Sequence, residues 1–409
     1  MVRRLLTAAV VYTLGWLAAV GLWGNVFLSS DAIHYYAAAE AWYVHRWQDW
    51  TAGEYLQSVE PFRYLFRVEP TTGRPISFYP PGMALVLWPG MALGDAVFRK
   101  TTLAGWLHAP YPLGRILGAW VILGGLTLLA MVVLEALLTA WTGVHSGQAR
   151  WAVLLTFWGT PWLYYASRAP LFSHATEVAL LILGLGGIRM AESSRSAVQT
   201  LGGLLSGLAW GTAIATRYAL LPWVALVTLA AVVGIGRTRR EAAVRWTLWG
   251  LVGMAPWVAF LLGYQATWME HIGATGYSPR LFVWNYPWPD ALRWVGFRAW
   301  ALWLHPVRGF AIWHPLILVA LLGWVRISGL SRHLALASTA GLLGIMLTYH
   351  DWWAGVSCGQ RLLMGLVPWI PFGVARFLEA PTADPLFRPA RSAERRLRWT
   401  LAVGLTRTS

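Results

Sequence analysis

From Leu5 to Leu28 the chain carries no charged side chain, and at about 1.5 Å per helical residue that segment reaches roughly 36 Å, enough to cross a bilayer. An acid follows at once, in Ser29-Ser30-Asp31-Ala32-Ile33-His34-Tyr35-Tyr36, so Asp31 stands at a membrane exit. Further apolar runs cover about 112–141, 149–167, 171–190, 198–216, 218–235, 245–267, 309–325, 333–349 and 362–378. With the first helix they make about ten spans of an all-α polytopic membrane protein. Composition agrees, because 57% hydrophobic and only 12% charged residues do not suit a water-soluble chain of this length.

The net charge of +15 does not point to nucleic acid. The arginines are scattered between apolar runs rather than gathered on one amphipathic face, and the positive-inside rule accounts for many of them. Met1 to Arg4 followed by an apolar run resembles a signal peptide. The run is too long for an ordinary signal core, so it reads as an uncleaved first helix with Arg3 and Arg4 in the cytoplasm. Alternation from that start puts the basic loops Arg189 to Arg195, Arg237 to Arg245 and Arg326 to Arg332 inside, together with a basic tail over 381–409. Residues 1–380 then form one transmembrane domain with two large external loops, 29–111 and 268–308. Asp31, Arg168, Arg217 and the segment Tyr349 to Arg361 fall on the outer side.

Loop 29–111 holds seven of the 17 acidic residues and is large enough to fold. Its first part, Ala32 to Trp50, has Tyr36, Tyr43, Trp47 and Trp50 near helical spacing, as in a helix lying along the interface with Asp31, His34, His45 and Asp49 on the other face. Pro80 to Phe98 reads as a second, half-embedded helix, interrupted by Pro89 and Gly90. The 29 tryptophans suit both a membrane interface and stacking on sugar rings. The single cysteine, Cys358, excludes an internal disulfide and a thiolate metal cluster.

Several stretches carry a family resemblance in chain order. They are Asp31 with Tyr35-Tyr36, Phe78-Tyr79-Pro80-Pro81-Gly82, Ala215-Thr216-Arg217-Tyr218, Pro306-Val307-Arg308-Gly309-Phe310 with His314-Pro315, and Trp352-Trp353-Ala354-Gly355-Val356-Ser357-Cys358-Gly359-Gln360-Arg361. Together they resemble the GT-C membrane glycosyltransferases, in the branch related to protein O-mannosyltransferases and lipid A aminoarabinose transferases. The resemblance implies a GT-C-like bundle in the cell envelope's inner membrane. It implies transfer of a hexosyl or pentosyl group, with inversion, from a polyprenyl-phosphate carrier to a glycan, lipid or protein acceptor on the outer face. Many members carry paired acids in the first loop, whereas Ala32 follows Asp31 here.

Such a transfer needs a base for the acceptor hydroxyl and positive charge for the departing phosphate. Asp31 is the candidate base; the alternative is a cap of the helix that starts at Ala32. Arg361, Arg217 and Arg308 are the candidate phosphate ligands, with snorkelling or turn anchoring as the plain alternative for Arg361 and Arg217. His34, Tyr35, Tyr79, His350, Asp351, Trp352 and Trp353 are candidates to line the substrate cavity, although Trp352 and Trp353 as interfacial anchors would look the same. Glu177, near the outer end of the fourth span, needs a partner; Arg168 or Arg217 would serve, and the pair reads as structural. The histidines lack zinc-type spacing, so no metal ligand is assigned. A magnesium ion bridging Asp31 and phosphate oxygens is compatible with the chemistry but not required by it. Two other function classes fit the composition: a transporter or flippase of lipid-linked sugars, and a catalytically degenerate subunit of a cell-envelope glycan assembly. The one-sided polar loops and the lack of an internal repeat favour the enzyme over the transporter.

Overall fold

A computed structural model describes residues 2–23, 31–44, 66–68, 75–77, 79–98, 113–269, 282–349 and 360–379. The first half contains α1 (Val2–Trp23), α2 (Asp31–Val44), α3 (Gly82–Phe98), α4 (Leu113–Thr142), α5 (Ser146–Trp158), α6 (Pro161–Ser167), α7 (Ser173–Ala191) and α8 (Ser196–Thr216). The second half contains α9 (Leu221–Gly236), α10 (Arg240–Trp268), α11 (Trp288–Leu304), α12 (Phe310–Trp313), α13 (Leu316–Trp324) and α14 (Gly329–Met346). A 3₁₀ segment, Arg361–Trp369, then leads into α15 (Ile370–Leu378). The first loop adds one antiparallel pair of short strands, β1 (Phe66–Val68) and β2 (Pro75–Ser77).

Five of the described helical runs are long and apolar enough to cross a membrane, within α4, α7, the run Tyr218–Gly236, α10 and the run Arg361–Leu378. Two apolar runs expected as single spans are broken instead. The run 149–167 is cut between α5 and α6, where the Thr160 hydroxyl accepts the Trp162 N–H and Pro161 occupies the first helical turn, a start signal that restarts the helix. The run 309–325 is cut at His314-Pro315, because proline has no N–H to continue the preceding turn. Hydropathy registers neither event, since both sides of each break are equally apolar.

Between helices in lipid the hydrophobic effect offers little, so packing and backbone approach must hold them together. Helices α3 and α4 meet through glycines: a methyl group at Gly118 would collide with the Gly90 carbonyl. Gly82, at the start of α3, lies against the Ala215 backbone at the end of α8. Near the far end of α4, the Glu135 carboxylate takes the Tyr12 hydroxyl at 2.7 Å and both Arg150 nitrogens at 2.9 and 3.1 Å. That network ties α1 to α4 and α5, and hydropathy alone gives no sign of it.

The two ends of the bundle differ in polarity. Arg189, Glu192, Arg239, Gln199 and Arg245 meet at one end. Asp31, Ser173, Arg217 and Arg361 lie at the other, where α7 and the 3₁₀ segment begin and α8 ends. Helix α2 differs from the expected interfacial helix. Asp31, His34, Tyr35, Tyr36 and Trp42 are all buried, so its described part is enclosed by protein on both faces. Trp47, Trp50, His45 and Asp49 lie outside the described residues.

Candidate active site

Asp31 is the first residue of α2, Tyr79 precedes the Pro80-Pro81-Gly82 entry to α3, and Arg361 opens the 3₁₀ segment after Gln360, whose side chain accepts the Leu362 N–H at 3.4 Å. The tertiary fold joins them. Arg361 Nη1 donates to Asp31 Oδ2 at 2.6 Å and the Tyr79 hydroxyl donates to Asp31 Oδ1 at 2.8 Å. Each carboxylate oxygen is therefore bound by a side chain from a distant segment, which goes beyond a simple helix cap. Side-chain exposure is 11% for Arg361 and 7% for Asp31, so the attraction is little screened by water, and each charge depends on the other to offset its desolvation.

Aromatic rings surround this pair. The Arg361 guanidinium lies 5.7 Å from the centre of the Phe172 ring, a cation–π distance. Tyr79 packs against His34 and Tyr35 with ring centres 5.7 and 5.2 Å apart, and the Tyr35 hydroxyl donates to Ser173 Oγ at 3.3 Å. Burial lowers the His34 imidazole to about 4, against the upward pull of Asp31, so the ring is neutral near pH 7. Burial, reinforced by the Asp31 anion, raises the Tyr79 hydroxyl above its usual range, which keeps it a proton donor.

Arg217 enters a second buried cluster. At the end of α8 its extended backbone turns the chain, and its side chain reaches Glu177 of α7 at 2.5 Å and His174 Nδ1 at 3.3 Å. Glu177 is fully buried, so an ionic partner is what its setting demands. Residues 172–174 connect the two clusters: Phe172 lies under Arg361, Ser173 bonds Tyr35, and His174 bonds Arg217. Sequence reasoning passed over Phe172 and Tyr165, whose ring centre is 4.9 Å from that of His174. Aromatic residues beside a helix start carry no mark of their own among 29 tryptophans and 14 phenylalanines.

Arg308 is half-buried in the turn after α11, with its backbone N–H bonded to the His305 carbonyl at 3.2 Å. Arg168 caps α6, its N–H bonded to the Tyr164 carbonyl at 2.9 Å. His350, Asp351, Trp352 and Trp353 lie outside the described residues. Among the described residues no three of His, Cys, Asp and Glu come together. A divalent ion at Asp31 would have to displace Arg361 or Tyr79 from the carboxylate.

No family model and no curated protein matches the sequence. Among solved structures, the fold is similar to the crystal structure of ArnT from Cupriavidus metallidurans in the apo state, with a TM-score of 0.54 and 14% sequence identity. The similarity covers 98% of this chain and 63% of that one, so this chain spans less than two thirds of the other's length. At that identity the likeness is one of architecture, and the chain has an all-α, multi-pass membrane fold of GT-C type.

Proposed function

We propose that this chain is an integral-membrane glycosyltransferase that moves a sugar from a polyprenyl-phosphate carrier to an acceptor hydroxyl on the extracytoplasmic side of the inner membrane. The observation that carries the reading is the Asp31–Arg361 pair, 2.6 Å apart across 330 residues of sequence. It brings a carboxylate and a guanidinium, the two groups the chemistry needs, to one buried point. A phosphate and a carboxylate offer the same pair of oxygens to the guanidinium fork, so a donor phosphate can replace Asp31 on Arg361. That exchange frees Asp31 Oδ2 while Tyr79 still holds Oδ1. The acceptor oxygen then bonds to the anomeric carbon as its proton passes to Asp31. The bond from that carbon to phosphate breaks, its electron pair leaves with the phosphate, and Arg361 stabilises the charge. A single in-line displacement inverts the anomeric centre. Phosphate recognition is assigned to Arg361 ahead of Arg217, because the anion it gives up is the candidate base itself, whereas Arg217 is paired with the fully buried Glu177.

The test is Arg361→Lys. Lysine keeps the charge but loses the two-pronged geometry. Loss of a charged hydrogen bond should raise the apparent binding constant for a polyprenyl-phosphate sugar about ten- to hundredfold. Wild-type binding in that variant, with impaired binding in Arg217→Lys, would move the phosphate site to Arg217.

Sidedness has its own measurement. Arg189, Arg239 and Arg245 gather at the bundle end opposite Asp31, which supports a cytoplasmic assignment for that end. In a Cys358→Ser background, an impermeant thiol reagent applied from outside should label Gly53→Cys and spare Thr238→Cys. The reverse pattern would place the site in the cytoplasm.

A further inference from the structure

His174 has no part in the scheme above, yet its surroundings are those of a substrate-binding group. The ring is 4% exposed. It packs at 4.9 Å from Tyr165 and 6.3 Å from Phe172, between centres, and Phe172 is the ring beneath Arg361. Arg217 Nη1 lies 3.3 Å from His174 Nδ1. A guanidinium can only donate, so Nδ1 accepts from Arg217 at 3.3 Å rather than donating to Glu177 Oε2, which lies farther off at 3.5 Å, and in the neutral imidazole the proton is left on Nε2. Glu177 Oε2 holds the same Nη1 in place at 2.5 Å. The buried ion pair therefore fixes a tautomer as well as joining α7 to α8.

The Nε2–H so created is buried and has no hydrogen-bond partner among the described residues. The same is true of Arg361 Nε. Buried N–H groups are seldom left without acceptors, and such groups call for a specific reason. Here two of them, one neutral and one cationic, border the same Phe172 ring. An anion with several oxygens, such as a phosphate, offers an acceptor to each.

Resting on the glycosyl-transfer reading above, we propose that His174, held as the Nε2–H tautomer by the Arg217–Glu177 pair, donates a hydrogen bond to a phosphate oxygen of the lipid-linked donor. The histidine stays neutral throughout, giving a directional donor without adding a third cation to a site that already holds two arginines. Its part is recognition of the phosphate; Arg361 carries the charge.

The experiment compares two amides in the purified full-length protein, with a polyprenyl phosphate as the probe and tryptophan fluorescence as the readout. The Gln side-chain nitrogen reaches about as far as Nε2 of histidine, whereas that of Asn reaches only about as far as Nδ1. Loss of a hydrogen bond to a charged group should make His174→Asn bind the probe about tenfold more weakly, with His174→Gln within about threefold of wild type. Equal affinity in wild type and His174→Asn would overturn the inference and leave the glycosyl-transfer reading standing. Equal weakening in both variants would also overturn it, by making His174 a packing residue. If wild type fails to bind the probe at all, the reading on which the inference rests fails first. Should His174→Asn not fold, ¹⁵N-histidine NMR of the wild-type protein decides instead. The expected spectrum has a His174 Nε2–H resonance that shifts when the probe is added; an Nδ1–H tautomer would refute the proposal.

Discussion

Asp31→Asn should lower turnover by about a hundred- to ten-thousandfold, the usual contribution of a positioned general base, while leaving donor affinity unchanged or higher. Asparagine keeps the size of the side chain and can turn its one oxygen to Arg361 and its NH₂ to the Tyr79 hydroxyl oxygen, but it cannot take the acceptor's proton. The affinity expectation comes from the ion pair. In the wild-type protein the Asp31 carboxylate occupies Arg361 Nη1 at 2.6 Å, so an incoming phosphate must displace an anion. In the variant it meets a guanidinium held only by a neutral amide. Single-turnover kinetics with a labelled polyprenyl-phosphate sugar, run beside equilibrium binding of the same donor, separates the two effects. A folded Asn variant with wild-type turnover would reduce Asp31 to an anchor for Arg361 and Tyr79. Weakened donor binding with unchanged turnover at saturation would make it a binding residue.

Glu177→Gln should cost about 3–5 kcal/mol of stability, the loss expected when one member of a buried ion pair is removed and the other charge stays behind. Glu177 is fully buried and binds Arg217 at 2.5 Å. The penalty belongs to the stranded Arg217 cation more than to the lost contact. A double variant, Glu177→Leu with Arg217→Met, should therefore recover most of the stability, since an apolar pair of similar volume avoids the desolvation altogether. Thermal unfolding in detergent of Glu177→Gln, Glu177→Leu, Arg217→Met and the double variant makes the comparison. If Glu177→Gln unfolds at the wild-type temperature, the pair has no structural role. If the double variant is as unstable as the sum of its parts, the two side chains are not coupled.

The contrast between these two pairs bears on how much of the molecule could be read from its residues. Glu177 and Arg217 are each a charge inside an apolar run, and the cost of an unpaired intramembrane charge is enough to predict that each needs a partner. The sequence offered Arg168 as readily as Arg217 for Glu177. The choice was made by the packing of α8 on α7 and by the turn at the end of α8. Asp31, Tyr79 and Arg361 were each singled out, Asp31 by its place after an uncharged span and the others by the family resemblance. Nothing in the spacing of residues 31, 79 and 361 says that one carboxylate would bind both partners.

By itself, then, the sequence determined that the chain lives in a membrane and where its apolar runs lie, and it singled out a few polar residues between them. Those properties follow from hydropathy summed over windows of about twenty residues, and a local sum is all they require. Only the tertiary structure decided that α2 is enclosed rather than laid on the interface. Only it decided that the apolar runs at 149–167 and 309–325 are broken, and that the charges sort into an Asp31–Arg361 pair and an Arg217–Glu177–His174 cluster. These outcomes depend on contacts between segments up to 330 residues apart and on single groups such as the Thr160 cap, Pro315 and the glycine faces of α3 and α4. A charge buried in lipid must find some partner; which one it finds is set by the backbones that approach closely enough to bring it within about 3 Å.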